Sequence, residues 1–217
     1  MHQQPIARLI IFLLILPLSV DAQVLVKDEP RHQPVFENAF VRVLDVRIKP
    51  GDTTLYHIHQ LPSAFIMLSD TRVGSQLFNG LPTEGFNKAG TVAYEQFNQP
   101  RVHRVWNMDT ALFHVVDIEI LTAETTKETA ILQMPGFTLI QDEKKARIYR
   151  VQLAPDRELQ FSELNNPVLF FPVTGIIAHP TEGTVEPGRF LFINKGESAT
   201  LYNNGAEEMS GAVFEIK

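Results

Sequence analysis

Two histidines stand one residue apart in the segment PGDTTLYHIHQLPS, and a third follows 44 residues later in NQPRVHRVWN. Neutral imidazole is a good ligand for zinc, copper, iron and nickel. Alternate residues of a strand share one face, so His57 and His59 project the same way, about 7 Å apart along the backbone, and converge only where the strand twists. His103 is expected to reach them from the opposite wall of a barrel. The pattern indicates a three-histidine metal site, and a polar strand end is the alternative for the pair alone.

Short β-strands are the elements that must position these side chains. After residue 22 the chain breaks into segments rich in Val, Ile, Phe and Leu, separated by turn signals such as KPGD, LSDT, FNGLP and NMDT. This spacing is typical of an all-β sandwich or barrel. The one helical pattern covers residues 122–133, where we expect a linker. The predicted strands are FVRVLDVRIK, LYHIH, AFIMLS, RVGSQLF, TVAYEQF, RVHRVW and ALFHVVDIEIL.

The chain also contains an internal repeat. VRVLDVRIKPGDTTLYHIHQLPSAFIMLSD aligns without a gap to ARIYRVQLAPDRELQFSELNNPVLFFPVTG, 105 residues further on. HRVWNMDTALFHVVDIEI then aligns to ATLYNNGAEEMSGAVFEI, 96 residues further on. Two long matches in the same order predict two copies of one β module.

The second copy lacks all three histidines. The alignment places Ser162 opposite His57, Leu164 opposite His59 and Ala199 opposite His103. Three unrelated structural histidines have no common reason to be lost together. We therefore expect His57, His59 and His103 to act as a set.

Composition narrows the classes of function. The chain has 217 residues, 44% hydrophobic and 20% charged, which is ordinary for a globular protein. Its formal charge is −6 and its basic residues form no run, so nucleic acid is not an expected partner. It has no cysteine, which excludes disulfides, thiolate nucleophiles and cysteine metal ligands. Any metal must bind to histidine, carboxylate or amide groups.

The N-terminus has the pattern of a secretory signal. Arg8 precedes an apolar run over residues 9–18, and the compact residues of VDA come just before Gln23. A membrane span needs about 20 apolar residues, more than this run supplies. We predict a signal peptide over residues 1–22 and a secreted or periplasmic mature chain without a membrane anchor, with an uncleaved anchor as the alternative.

The order of the site residues resembles that of the cupin superfamily. Gly51, a gap of five, and His57-x-His59 match the opening of the first cupin motif, and His103 and Asn107 have the separation found in the second. The resemblance covers both modules, from about residue 35 onward. It implies an all-β fold of two tandem cupin barrels, which are jelly rolls or double-stranded β-helices. The implied layout is an N-terminal barrel with the metal site over residues 23–121, a linker over 122–135 and a C-terminal barrel without the ligands over 136–217.

One cupin feature is missing, because the first motif expects a glutamate shortly after the second histidine and this chain has QLPSA there. Gln60 would point away from His59 on a regular strand, and Glu95 is a candidate replacement from another strand. Three neutral ligands leave a divalent ion with its full charge, which favours an anionic oxygen ligand. The arginines that could add to this preference, if they face inward, are Arg42, Arg47, Arg101 and Arg104.

Other candidate residues have simpler interpretations. His114 is expected to be a hydrogen-bonded structural residue and His179 to lie on the surface. The aromatic and sulfur side chains near the ligands are expected to fill the core rather than to line a pocket, and these are Tyr56, Phe65, Met67 and Trp106.

The sequence thus favours an exported bicupin with Fe, Mn, Zn, Ni or Cu on His57, His59 and His103. The expected activity is that of an oxygenase, an isomerase or a lyase acting on a small anionic substrate. A non-catalytic small-molecule-binding or structural cupin is the alternative. The resemblance also allows a homodimer, and no residue pattern identifies a catalytic acid or base.

Overall fold

The structure of the protein is a computed structural model that describes residues 23–122 and 129–217. Within these ranges nearly all regular structure is β-strand, so the all-β prediction is confirmed. The helix predicted over residues 122–133 is wrong for residues 129–133, which are not helical. Residues 123–128 lie outside the described ranges, and so does the predicted signal peptide over 1–22. No helix in the described ranges is long and apolar enough to cross a membrane.

Ten strands and one 3₁₀ turn, Val26–Asp28, come from the first described range. The strands are β1 (Val24–Leu25), β2 (His32–Glu37), β3 (Val41–Ile48), β4 (His57–His59), β5 (Ser63–Met67), β6 (Thr71–Leu77), β7 (Pro82–Asn87), β8 (Val92–Glu95), β9 (Arg101–Asn107) and β10 (Phe113–Ile120).

The second described range contributes nine strands. They are β11 (Phe137–Asp142), β12 (Ala146–Leu153), β13 (Arg157–Phe161), β14 (Val168–Thr174), β15 (Ile177–His179), β16 (Gly183–Val185), β17 (Leu191–Ile193), β18 (Ala199–Asn203) and β19 (Met209–Ile216).

Each set of strands forms two sheets. The first set has the orders β1-β4-β9-β6-β7 and β2-β3-β10-β5-β8. The second set has the orders β11-β12-β19-β14-β17 and β13-β18-β15-β16. Strands from the two sheets of the first set line one cavity, so these sheets face each other as in a jelly roll.

The internal repeat is visible in the strand pairing. β2 pairs with β3 with a register shift between Pro34 and Phe36, and β11 pairs with β12 with a shift between Leu139 and Gln141, which is the same place at an offset of 105. The turn before β4 has Gly51 at φ 73°, and the equivalent turn before β13 has Asp156 at φ 56°. Positive φ suits glycine and is tolerated by aspartate. The two halves therefore share local backbone geometry as well as sequence.

A buried apolar layer joins the two sets of strands. One core cluster contains buried residues of both sets. Residues of β3, β5 and β10, such as Val43, Ile66 and Ile118, pack against residues of β12, β14 and β19, such as Phe171 and Phe214. β10 is buried along nearly its whole length, because one face meets this layer and the other meets the interior of the first barrel. The second half of the chain thus packs on the outer face of the sheet that contains β3, β5 and β10, and the inner face of that sheet lies across the cavity from β4 and β9.

Candidate metal centre

The three predicted histidines lie together on two neighbouring strands. β4 presents His57 and His59 inward, and β9 pairs with it so that His57 is directly opposite His103. The expectation that His103 reaches the pair from the opposite wall is therefore wrong, because β4 and β9 are adjacent in one sheet. Cross-strand neighbours on one face have closely spaced side chains, and this places the third ring beside the first two.

The ring nitrogens are spaced for a shared ion. Nε2 of His59 is 3.1 Å from Nε2 of His103. One ligand nitrogen from each of the three residues lies within 4.8 Å of the other two. Zinc-to-nitrogen distances of about 2.0 to 2.1 Å require ligand atoms about 3 to 3.5 Å apart. One pair already has this spacing, and the third donor lies within 4.8 Å of both, which makes the set a candidate site for one divalent ion.

The Nδ1 sides of the rings face protein groups. Nδ1 of His57 is 3.0 Å from the carbonyl oxygen of Leu55, which can only accept, so this nitrogen carries the proton. Nδ1 of His103 is 3.4 Å from Oγ of Ser75, and Nδ1 of His59 is 3.5 Å from Oδ2 of Asp117. Such partners hold metal-binding histidines in the tautomer that directs the Nε2 lone pair to the ion.

Burial keeps the imidazoles neutral. His57 and His59 are 1% and 4% exposed. Burial, with the neighbouring histidines adding to it, lowers the pKa of His57 to about 4 and that of His59 to about 2. The pKa of His103 is lowered for the same reasons. Neutral imidazole is the form that binds a metal, so these rings are ready to act as ligands near neutral pH.

The histidines open into a cavity of about 230 Å³ inside the first barrel. Its wall is mainly apolar, with a few polar groups beside the histidines. The apolar lining residues are Val46, Ile48, Phe65, Met67, Val73, Ala93, Phe97, Val105, Phe113 and Val115. A small, largely apolar molecule with one polar end fits such a space.

Two polar groups of the cavity wall were missed by the sequence analysis. Asp117 on β10 lies on the sheet opposite the histidines, and the ring of His32 on β2 contacts that of His57 in a tilted arrangement, with 4.6 Å between the ring centroids. Nδ1 of His32 is 2.8 Å from Oε2 of Glu29, which is buried. Burial raises the pKa of Glu29, but hydrogen bonds from His32 and from the amides of Arg31 and Leu55 outweigh this and hold it below its usual value.

Asp117 is 1% exposed and neither carboxylate oxygen makes a hydrogen bond of standard geometry. Burial raises its pKa well above the usual range, Glu119 and Glu95 act in the same direction, and a hydrogen bond with the Ser63 side chain opposes them without reversing the shift. Nδ1 of His59 is also buried without a hydrogen bond. Two buried groups without a hydrogen bond of standard geometry therefore face each other behind the cluster, 3.5 Å apart.

The remaining candidate ligands do not join the three histidines. Glu95 lines the cavity but forms an ion pair with Arg101, and Gln60 is exposed. Of the four arginines considered, Arg101 alone lines the cavity. The others pair elsewhere: Arg42 with Glu37 and Glu119, Arg47 with Asp45, and Arg104 with Gln76.

In the second half of the chain, apolar residues occupy the equivalent places. His57 pairs with His103, and Ala199 is the residue aligned with His103. Ala199 pairs with Phe161, so strand pairing makes Phe161 the structural counterpart of His57 in place of Ser162, one residue further on. Phe161 and Leu164 are buried, whereas Ser162 is exposed. Offsets of 105 and 96 place Phe137 opposite His32 and Val213 opposite Asp117. All of these apolar residues belong to or pack on one core cluster.

Other predicted residues have structural places. Nε2 of His114 is 2.6 Å from Asp45, as expected of a hydrogen-bonded structural histidine. His179 ends β15 and accepts hydrogen bonds from the amides of Thr181 and Glu182. Phe65 and Met67 line the cavity, contrary to their expected core role, whereas Tyr56 and Trp106 do not line it.

Comparison with known proteins identifies the fold. No protein-family model matches the chain, and no curated protein is similar to it. The pirin YhhW from Escherichia coli, solved with nickel(II), has a TM-score of 0.61 at 16% identity over 85% of this chain and 89% of its own. A cupin 2 conserved barrel domain protein from Leptotrichia buccalis has a TM-score of 0.55 at 8% identity, with coverages of 85% and 88%.

A salicylate 1,2-dioxygenase variant from Pseudoaminobacter salicylatoxidans has a TM-score of 0.58 at 10% identity, covering 82% of this chain and 71% of its own. The chain therefore has the cupin fold, as the motif resemblance predicted. Within that fold, it carries a buried three-histidine cluster at the inner face of its first barrel.

Proposed function

We propose that the protein is a metal-dependent cupin enzyme that binds a divalent ion through His57, His59 and His103. The convergence of three buried, neutral imidazoles at the wall of an apolar cavity is the observation that supports this proposal. A divalent ion held there would act as a Lewis acid toward an oxygen atom of the substrate. The metal is Fe, Mn, Zn, Ni or Cu by ligand type.

The cavity indicates the kind of substrate. Its volume of about 230 Å³ and its aliphatic and aromatic lining favour a small, compact molecule with an apolar body. Its polar end is anionic in our proposal, because three neutral ligands leave the full charge of the ion. The reaction class is oxygenation, isomerisation or lyase-type proton transfer.

Elemental analysis tests the metal site. Protein purified without a chelator should contain about one divalent ion per chain, and His57→Ala, His59→Ala and His103→Ala should each lose most of it, since every removed ligand leaves an incomplete site. His114→Ala is the matched control, because His114 is a partly buried histidine bonded to Asp45 outside the cluster. Wild-type protein that takes up none of the five metals would refute the proposal.

Turnover separates an enzyme from a binding protein. The metal-loaded protein should transform at least one member of a panel of small aromatic and aliphatic hydroxy acids or keto acids, with and without dioxygen. Metal-dependent binding of such compounds without turnover would favour the non-catalytic alternative.

We also propose that the chain is exported, on the signal pattern of residues 1–22. N-terminal sequencing of the protein from the periplasm or the medium should give Gln23 as the first residue. Recovery of the full-length chain from the membrane fraction would show an uncleaved anchor instead.

A further inference from the structure

The buried carboxyl group of Asp117 has few polar contacts, and these are with the side chain of Ser63 and with Nδ1 of His59. It lines the cavity, it is 1% exposed, and neither oxygen makes a hydrogen bond of standard geometry. Leaving a buried polar group without a hydrogen bond lowers stability, and more so for a charged group. Native proteins keep such groups rarely, and often at functional sites.

The position of Asp117 excludes it as a fourth ligand on the same ion. His59 directs Nε2 toward His103 at 3.1 Å, and its other nitrogen, Nδ1, faces Oδ2 of Asp117 at 3.5 Å. The ring thus lies between the carboxylate and the point where the three ligand nitrogens converge. Asp117 therefore acts on the metal position through His59.

The internal repeat distinguishes Asp117 from Glu119, a structural acidic residue of the same strand. Asp117 corresponds to Val213, whereas Glu119, two residues on, corresponds to Glu215. Glu119 pairs with Arg42 at 2.6 Å, and Glu215 accepts a hydrogen bond from Tyr149 at 2.7 Å. The acid that serves the fold is present in both modules. The acid behind His59 is present only where the histidines are present.

We propose that Asp117 is a positioning residue that accepts the Nδ1 proton of His59 and so fixes the Nε2 lone pair toward the metal. This role rests on the proposed metal-binding function. It places a carboxyl group behind a ligand, where the usual glutamate would itself bind the ion. The coordination position left by that glutamate stays available to the substrate. Outer partners of this kind raise ligand basicity and commonly contribute 10- to 100-fold to metal affinity.

Two substitutions and one control test this role. Asp117→Asn keeps the shape and removes the charge, and Asp117→Val introduces the residue of the second module. Glu119→Gln is the control, since Glu119 is a buried acid on the same face of β10 that pairs with Arg42 instead of a histidine. Affinity for Zn(II) and Ni(II) is measured by competition with a chromophoric chelator, and unfolding of the metal-free protein by urea.

We expect Asp117→Val to lower metal affinity about 10- to 100-fold. The affinity of Asp117→Asn should lie between those of wild type and Asp117→Val. The metal-free Asp117→Val protein should be at least as stable as wild type, because a buried carboxyl group without a hydrogen bond of standard geometry has been removed. Glu119→Gln should lower stability and leave metal affinity within about twofold of wild type. Nitrogen-15 NMR of the metal-free protein should show His59 with its proton on Nδ1 in wild type and should lose that preference in Asp117→Val.

The role of Asp117 is overturned if Asp117→Val binds metal with wild-type affinity. It is also overturned if the metal-free variant loses enough stability to account for its lower metal affinity. In both cases the metal site itself stands. Failure of the wild-type protein to bind Zn(II), Ni(II) or any of the other three candidate metals overturns the metal site and this role with it. An unchanged His59 tautomer in Asp117→Val also contradicts the role.

Discussion

Five polar side chains of the first barrel meet in a space that the second barrel fills with apolar groups. His32, His57, His59, His103 and Asp117 face the cavity. Their counterparts are buried or packed in a hydrophobic cluster, and these are Phe137, Phe161, Leu164, Ala199 and Val213. The second module shows that the fold does not require these polar groups. Burial of polar groups that are not fully hydrogen-bonded costs stability, and a ligand-binding role explains why they are there.

The neutral histidines make the stability of the metal-free protein depend on pH. The pKa of His57 is lowered to about 4 and that of His59 to about 2, so between these values and about 6.5 the unfolded chain binds more protons than the folded chain. Stability from these groups is complete above pH 6.5 and is lost as the pH falls. Each histidine contributes a slope of up to about 1.4 kcal/mol per pH unit.

Urea unfolding of the metal-free protein from pH 7.5 to 4.5 measures this effect. The variant His57→Phe/His59→Leu/His103→Ala, with second-module residues, should show a much flatter profile. Asp117 titrates in the opposite sense, since its raised pKa adds stability at low pH that is lost as the pH rises. The histidine contribution is therefore the difference between wild type and the triple variant. Parallel profiles would contradict neutral burial of the histidines.

Spacing and the internal repeat were enough to predict the three histidines, but not their neighbours. His32 lies before the first predicted strand, and Asp117 is one of several acids on an alternating strand. The repeat offsets that showed the loss of the three histidines also align His32 with Phe137 and Asp117 with Val213. An acid or histidine that becomes apolar in the second copy was the available signal. The contact of Asp117 with His59 depends on two facing sheets, so no local pattern could predict it.

At the scale of elements, the segment before β3 completes the site. β1 pairs in parallel with β4, with Val24 opposite His57, and Glu29 accepts a hydrogen bond from the amide of Leu55 at 3.1 Å. Arg31 forms a two-point ion pair with Asp52 in the turn before β4. The short ligand strand is thus held by β9 on one side and by this N-terminal segment on the other.

Glu29→Gln should loosen the ligand strand. The substitution removes the charge that accepts hydrogen bonds from Arg31, His32 and Leu55, so we expect a loss of about 2 to 4 kcal/mol in unfolding free energy. Metal affinity should fall too, because Leu55 holds His57. Glu37→Gln is the control, because Glu37 is an exposed partner of Arg42 and an exposed ion pair contributes little to stability. Equal effects of the two variants would show that the segment does not support the site.

Alternation of apolar residues predicted the strands that face a core and missed those that do not. All seven predicted strands are present. β7 was missed because its residues are nearly all exposed at a sheet edge, and β2 because Pro34 interrupts its pattern at the register shift. The one-residue shift between β4 and β13 was also missed, since an ungapped alignment cannot show a bulge that strand pairing creates.

At the scale of the whole molecule, the two modules are joined by a shared core. Repetition predicted two modules but not this contact, because an apolar strand has the same pattern whether its second face meets its own barrel or another. β14 shows both cases in consecutive residues. Phe170 faces the interior of the second module, and Phe171 faces the layer shared with the first.

This pair of phenylalanines tests the coupling of the modules. Both are almost fully buried, so Phe170→Ala and Phe171→Ala should each cost about 3 to 5 kcal/mol through loss of packing and a cavity. The two substitutions should destabilise different parts of the protein, because Phe171 contacts the layer that contains β3, β5 and β10. Hydrogen exchange should show lowered protection in both modules for Phe171→Ala and mainly in β12, β14 and β19 for Phe170→Ala. If β3 and β10 kept wild-type protection in Phe171→Ala, the first barrel and its metal site would be stable without the second module.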